Sequence, residues 1–201
     1  ALPLSGVPDE VRQREKWRLA LDMLDQMTGD WGLPKRTVSA DAGYGDATGF
    51  RLGLEERGYS YVVAVTWRHG TRKTKDNPTA AMTSTFLAIK VRPANREIPR
   101  DPHDGTVPAR WLLIEWPADK DEPTDYWLSN MDDDTPLAEL VRLAKIRWRI
   151  EHDYRELKTG LGLDHFEGRG FTGWHRHVTL AVLAQAFCTM LRLDPKAPAP
   201  A

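Results

Sequence analysis

Four residues of this 201-residue chain, Arg147, Glu151, Tyr154 and Lys158, are of types that could act together on a polyanion. An α-helix turns about 100° per residue, so these four fall within an arc of roughly 60° on one side of a helix. Leu143, Ile146, Ile150, Leu157 and Leu161 fall on an adjacent arc, which predicts a buried face. Arg142, Lys145, Arg149, His152, Asp153 and Glu156 fall on the far side and read as solvated. A carboxylate therefore borders the core with a cation one to two turns away on either side, as a metal-binding glutamate beside a polyanion would be placed. The same spacing also fits a plain i,i+4 ion pair between Arg147 and Glu151, worth about 0.2–0.5 kcal/mol.

A second carboxylate adds weight to the metal reading. Residues 36–41 read as a short buried strand ending in Asp41, followed by the turn Ala42-Gly-Tyr-Gly45. Open α/β sheets place ligand-binding groups at the carboxyl ends of parallel strands, although an aspartate before a turn is also common for local reasons. Hard divalent cations such as Mg²⁺ or Mn²⁺ take a few carboxylate oxygens together with water and phosphate oxygens. Two such ions ~4 Å apart can stabilise the attacking and leaving oxygens of a phosphoryl displacement. Arg147 and Lys158 could hold phosphates beside them.

The elements that must position these groups follow from local pattern. Asp9 is placed to cap a helix running to about Met27, with Trp17, Leu21, Leu24 and Met27 at helical spacing. After the strand ending at Asp41, Asp46 is placed to cap a helix to about Arg57, with Gly58 just past its end. Residues 59–67 form a strong strand pattern. Strand, helix and strand with short connections predict a βαβ unit with a parallel pair. Residues 68–83 are polar and basic without a usable period and are expected to be mobile. Strand-like runs at 85–91, 110–116 and 125–130, separated by Pro- and Asp-rich loops, predict an antiparallel β insertion joined to the α/β core. Thr135 is placed to cap a helix to about Thr159, with Pro136 in its first turn. A helix over Phe171–Leu193 is apolar nearly all round from Val178 to Leu191, which predicts burial. The Pro/Ala-rich tail 195–201 reads as disordered.

Composition narrows the class. The length fits one large domain, or one with an insertion, able to bury about 70% of its unfolded surface. The single cysteine, Cys188, excludes a disulfide framework and a cysteine metal site, and points to a reducing compartment. No apolar run reaches the ~18 residues of a membrane span, and the start carries no secretory pattern. A net charge of −1 announces no nucleic-acid partner, but Lys and Arg outnumber Asp and Glu between Arg142 and Arg176. Three histidines near one another, His165, His175 and His177, fit no common zinc spacing even with His152. No glycine-rich nucleotide loop and no serine nucleophile elbow is present.

The run Ile146-Arg-Trp-Arg-Ile-Glu151, followed by Tyr154 and Leu157-Lys158, resembles the C-terminal motif of DDE-type insertion-sequence transposases. The matching branch carries tyrosine, arginine, the catalytic glutamate and lysine on one helix. Arg147, Glu151 and Lys158 match that spacing. The tyrosine position falls on Ala144, so its contact is absent or Tyr154 substitutes for it. Ser39-Ala-Asp41-Ala-Gly-Tyr-Gly45 resembles the family's second catalytic aspartate at its strand end. Gly160-Leu-Gly-Leu-Asp-His-Phe-Glu-Gly-Arg169, then Gly173-Trp-His-Arg-His177, resembles the segment after the motif in one subgroup. The likeness runs from about Val7 to Leu193.

The resemblance implies an α/β, RNase H-like (ribonuclease H fold) catalytic core lacking its first strands, with an antiparallel β insertion before the glutamate helix. In these terms residues 1–67 are the first part of the core and 68–134 the insertion. Residues 135–193 are the C-terminal helices with the catalytic glutamate, and 194–201 the tail. Asp41 and Glu151 are implied to be catalytic metal ligands for Mg²⁺ or Mn²⁺. Arg147, Arg149, Tyr154, Arg155, Lys158 and Arg169 are implied to contact DNA. The implied activity is metal-dependent strand cleavage at transposon ends and strand transfer into target DNA, by a homodimer on DNA. The implied setting is cytoplasmic and nucleoid-associated in a bacterium, without a membrane. The insertion can supply a tryptophan that stacks on a flipped base, with Trp111, Trp116 and Trp127 as candidates. The family needs three carboxylates, and no aspartate on an apolar first strand is present: Asp9, Asp22, Asp25 and Asp30 lie on or beside the first helix. The chain is therefore expected to be a truncated transposase with little activity alone. Two other readings remain open, a non-catalytic DNA-binding or oligomerisation remnant and another RNase H-like nuclease.

Overall fold

The computed structural model describes residues 5–66 and 84–193. The expectations for residues 67–83, for the tail and for the first four positions fall outside these. Two compact units divide the chain: Arg14–Arg147, and Ala1–Gln13 with Trp148–Ala201.

The first unit is built on one five-stranded mixed sheet of order β1-β2-β5-β4-β3. Its strands are β1 (Val38–Ala40), β2 (Tyr61–Val65), β3 (Ser84–Val91), β4 (Arg110–Pro117) and β5 (Asp125–Ser129). The β1/β2 pair is parallel, as the strand-helix-strand pattern predicts. The remaining pairs are antiparallel, with Val63 opposite Leu128, Leu112 opposite Leu128 and Ile89 opposite Leu112. Strands β5, β4 and β3 thus extend the sheet from β2. The helices are α1 (Lys16–Gly29), α2 (Ala42–Gly45), α3 (Thr48–Glu56) and α4 (Leu137–Lys145). This mixed α/β architecture agrees with the expected class.

Alternation along β2 separates two cores. Tyr61 and Val63 pack with Leu21, Phe50, Leu54 and Tyr59 under α1 and α3. Val62 packs with Leu113, Trp127, Leu140, Leu143 and Ala144 under α4. A strand buried on both faces needs a continuous apolar run, and Tyr-Val-Val-Ala-Val supplies it. The start of β2 is held by Asn130, whose side-chain oxygen accepts the Tyr61 N–H at 2.7 Å while its amide donates to the Tyr59 carbonyl at 2.9 Å. Arg57 on the C-terminal side of α3 grips Asp25 of α1 with two bonds of 2.7 and 2.8 Å. That pairing holds the Asp25 carboxyl below its usual range. A partly buried cluster joins β4 to α3 and β2: Arg110 donates twice to Glu55, which also accepts from the Tyr61 hydroxyl. Burial foremost, with the Glu55 charge, pushes the Tyr61 phenol up.

Three local expectations need correction. The first helix begins at Lys16, not near Asp9, because the Glu10–Glu15 stretch offers only Val11 as an apolar side chain and Val11 is exposed. Asp46 does not cap α3: its carboxylate accepts the Thr66 N–H at 2.7 Å and the Thr66 hydroxyl, and Ala47 occupies the cap position. The long glutamate helix is divided. α4 ends at Lys145, α5 covers Arg147–Arg155, and a π-helical turn covers Glu156–Gly160.

The second unit comprises the rest of α5, the π turn and α6 (Phe171–Leu193). Ser5 pairs with the 169–171 segment, its N–H donating to the Arg169 carbonyl and its carbonyl accepting from Phe171. Phe166 packs on Trp174 and His177 at centroid distances of 5.5 and 5.4 Å. His177 Nε2 lies 2.9 Å from the Gly162 carbonyl oxygen, which gives that histidine a structural use. The bounds of α6 match the sequence pattern, but its burial does not. Leu180, Phe187 and Met190 are 68, 62 and 71% exposed, and Ala181 is the one buried residue of the helix. Apolar composition predicts that a helix can be covered, not that this chain covers it.

Candidate active site

Asp41 stands where β1 ends and α2 begins, at the carboxyl end of the parallel pair. Its backbone has the extended geometry of a helix N-cap (φ −81°, ψ 176°), and its carbonyl accepts the N–H groups of Tyr44 and Gly45 at 3.1 and 2.8 Å. Its side chain makes no capping bond. An ordinary capping aspartate spends its carboxylate on the helix N–H groups, so this carboxylate is left for another partner. Oδ1 is buried and has no hydrogen-bond partner among the described residues.

Gly43 stands beside that oxygen. A Cβ at Gly43 would lie 3.1 Å from Asp41 Oδ1. At Gly45 a Cβ would fall inside the van der Waals radius of the Ala64 carbonyl oxygen, so only glycine lets α2 seat against β2. The spacing Asp-Ala-Gly-Tyr-Gly therefore has two different uses for its two glycines.

The opposite wall is the end of α4. The Ser39 hydroxyl donates to the Leu143 carbonyl at 3.2 Å and ties that helix to β1. Arg147 reaches Asp41 Oδ2 with Nη1 at 3.7 Å, both side chains being partly exposed. Lys145 bonds Glu115, which is 4% exposed on β4, and lies near the rings of Phe86 and Trp127 at 5.7 and 5.5 Å. Helical spacing predicts Lys145 on the solvated face and says nothing of Glu115. The available signal was a carboxylate within the apolar run Trp-Leu-Leu-Ile-Glu-Trp of β4, which needs a cation to be buried.

The remaining site residues sit on the second unit. Glu151 is exposed on α5, a helix without a buried residue. Ile150, expected in the core, is 55% exposed. Arg149 and Arg155 are exposed, as is Arg169 after the π turn. Lys158 lies within the π turn with Nζ 4.5 Å from the centre of the Tyr154 ring. Tyr154 is 50% exposed, whereas Ala144, at the motif's tyrosine position, is 4% exposed in the core of the first unit. Of the three candidate stacking tryptophans, Trp127 is core, Trp111 is half-buried beneath Lys90, and Trp116 is exposed. The structure thus joins Asp41 to Arg147, and Tyr154 to Lys158.

Among the described residues no three His, Cys, Asp or Glu side chains group as a metal site. The fit of a cation to this chain rests on Asp41, whose buried Oδ1 beside Gly43 has no hydrogen-bond partner among the described residues and is a hard oxygen donor. No helix among the described residues is long and apolar enough to cross a membrane. Among known protein families, that of the DDE superfamily endonucleases matches residues 4–120, more than half of the chain. No curated protein matches it.

Proposed function

The chain belongs to the DDE superfamily of endonucleases, and from that premise we propose that it is the catalytic portion of an insertion-sequence transposase. Membership carries nuclease- or transposase-type chemistry on DNA, generally with divalent metal ions. In the proposed reading Asp41 and Glu151 are metal ligands, and the ion is Mg²⁺ or Mn²⁺. The bound ions would supply an activated oxygen nucleophile and charge stabilisation at the scissile phosphate. Asp41 offers an oxygen from a rigid strand end. Arg147, Arg149, Tyr154, Arg155, Lys158 and Arg169 hold the DNA backbone, the guanidinium groups being suited to bidentate phosphate contact. The cuts fall at insertion-sequence ends, the strand transfer enters target DNA, and the working form is a homodimer on DNA. Residues 68–134 act as the insertion between two parts of the core.

The observation that carries this reading is the Asp41 carboxylate, which stands at a cap position, does no capping, and keeps a buried oxygen without a partner. Two carboxylates make an incomplete ligand set for this chemistry, so the 201-residue chain is expected to nick DNA no faster than its Asp41→Ala variant. A nicking rate that both Asp41→Ala and Glu151→Ala abolish would overturn the incompleteness. DNA binding is tested by gel shift over a salt series. Lys158→Ala and Arg155→Ala should each weaken binding similarly for all sequences and lower the salt slope by about one. No shift at low salt, or variants that bind like the parent, would contradict the assigned DNA face.

A further inference from the structure

The two oxygens of Asp41 differ in their surroundings. Oδ1 is buried without a hydrogen-bond partner, and Oδ2 faces the Arg147 guanidinium at 3.7 Å. Arg147 stands two residues past a helix end fixed to the sheet at two points, by Ser39 on the Leu143 carbonyl and by Lys145 on buried Glu115. The residue between, Ile146, keeps its N–H on the Arg142 carbonyl at 3.0 Å. The arginine is therefore presented to Asp41 by a braced backbone. The contact itself is long and partly wet, with side-chain exposures of 31 and 48%, so it is weak and can exchange.

We propose that Arg147 is the resident counter-cation of Asp41, which a divalent ion must outcompete and which a DNA phosphate draws away. This rests on the reading of Asp41 as a metal ligand. A guanidinium and a divalent cation want the same carboxylate, and like charges at such range repel. A phosphate gives the guanidinium a better partner, because the planar fork can bind it bidentately. Metal and DNA then help one another onto the site. By linkage the coupling is reciprocal: phosphate-bearing DNA raises metal affinity by the factor by which metal raises DNA affinity. The arrangement disfavours metal at Asp41 until substrate is present.

The test is Mn²⁺ titration of the whole chain without DNA, read by loss of the free-ion electron paramagnetic resonance signal. The proteins are the parent, Arg147→Ala, Arg147→Gln, Arg147→Lys, Asp41→Asn, and Arg142→Ala as a control. Arg142 is paired with Glu139 on the same helix, so its removal reports general loss of positive charge. Arg147→Ala should tighten Asp41-dependent Mn²⁺ binding by about five- to tenfold, the effect of removing one nearby charge at low salt. Arg147→Gln should do the same if the alanine variant fails to fold, and Arg147→Lys and Arg142→Ala should change little. Unchanged or weaker binding in both neutral Arg147 variants, with Asp41→Asn still abolishing it, overturns the counter-cation and leaves Asp41 a ligand. Mn²⁺ binding indifferent to Asp41→Asn in every background removes the metal reading and this proposal with it.

Discussion

At the scale of single residues, the site depends on what Asp41 does not do. A carboxylate at a helix start normally bonds the N–H of the second or third helical residue; here the Asp41 side chain makes no such bond, while its carbonyl accepts the Tyr44 and Gly45 N–H groups. Gly43 and Gly45 then separate function from fold within one short turn. Gly43→Ala places a Cβ 3.1 Å from Asp41 Oδ1 in a helical, solvent-facing position. It should weaken Mn²⁺ binding several-fold while leaving stability unchanged or raised by up to about 1 kcal/mol, since alanine favours helix over glycine. Gly45→Ala drives a Cβ into the backbone of β2 and should cost about 1–3 kcal/mol or more, read by denaturant unfolding. If Gly43→Ala binds metal like the parent, the space beside Oδ1 has no part in ligation.

At the scale of elements, α4 and the π turn are each secured by a charged pair of their own. α4 rests on the pair of Lys145 with Glu115, the carboxylate being 5% and the lysine 49% exposed. Lys145→Ala strands a buried carboxylate and should cost about 2 kcal/mol, less than the 3–5 of a fully buried pair because the lysine is half wet. The double change Lys145→Met with Glu115→Leu should recover most of that loss, and a double variant as unstable as the single one would show that the pair is not what holds α4. The π turn is secured to α6 by Glu156, which accepts from Arg192 and from Gln185 at 3.0 Å. The Arg192 bond foremost, then the Gln185 bond, lowers the Glu156 pKa from 4.5 to about 2. A depressed carboxylate stabilises above its unfolded pKa, so this contribution is complete above about pH 4.5 and is lost as pH falls towards about 2. Amide exchange in the last turns of α6 should accelerate over that window in the parent and show no such step in Glu156→Gln. A step of equal size in both would place the acid sensitivity elsewhere.

At the scale of the whole molecule, what the sequence made legible was periodicity. β2, β3, β4 and β5 and α6 stand close to their patterns because alternation and helical spacing are local properties of side chains. Asp41 was legible from its place between an apolar strand and a glycine turn. The residues that escaped reading depend on neighbours distant in sequence. Glu115 finds Lys145 thirty positions on, Asp46 finds Thr66 rather than the helix beside it, and the exposure of α6 depends on what lies over it. The π turn also escaped, since it places Lys158 by a change in helical hydrogen bonding that composition does not announce. The central claim is that Asp41 and Glu151 are both metal ligands, and iron-directed backbone cleavage tests it most directly. Fe²⁺ bound in place of Mg²⁺ and supplied with hydrogen peroxide and ascorbate reduces the peroxide to hydroxyl radicals, which cut the chain next to its ligands. Cuts beside residues 41 and 151, both suppressed by excess Mg²⁺ and both lost in Asp41→Ala, are the predicted result. Cuts beside one of the two alone, or cuts indifferent to Mg²⁺ and to Asp41→Ala, would contradict it.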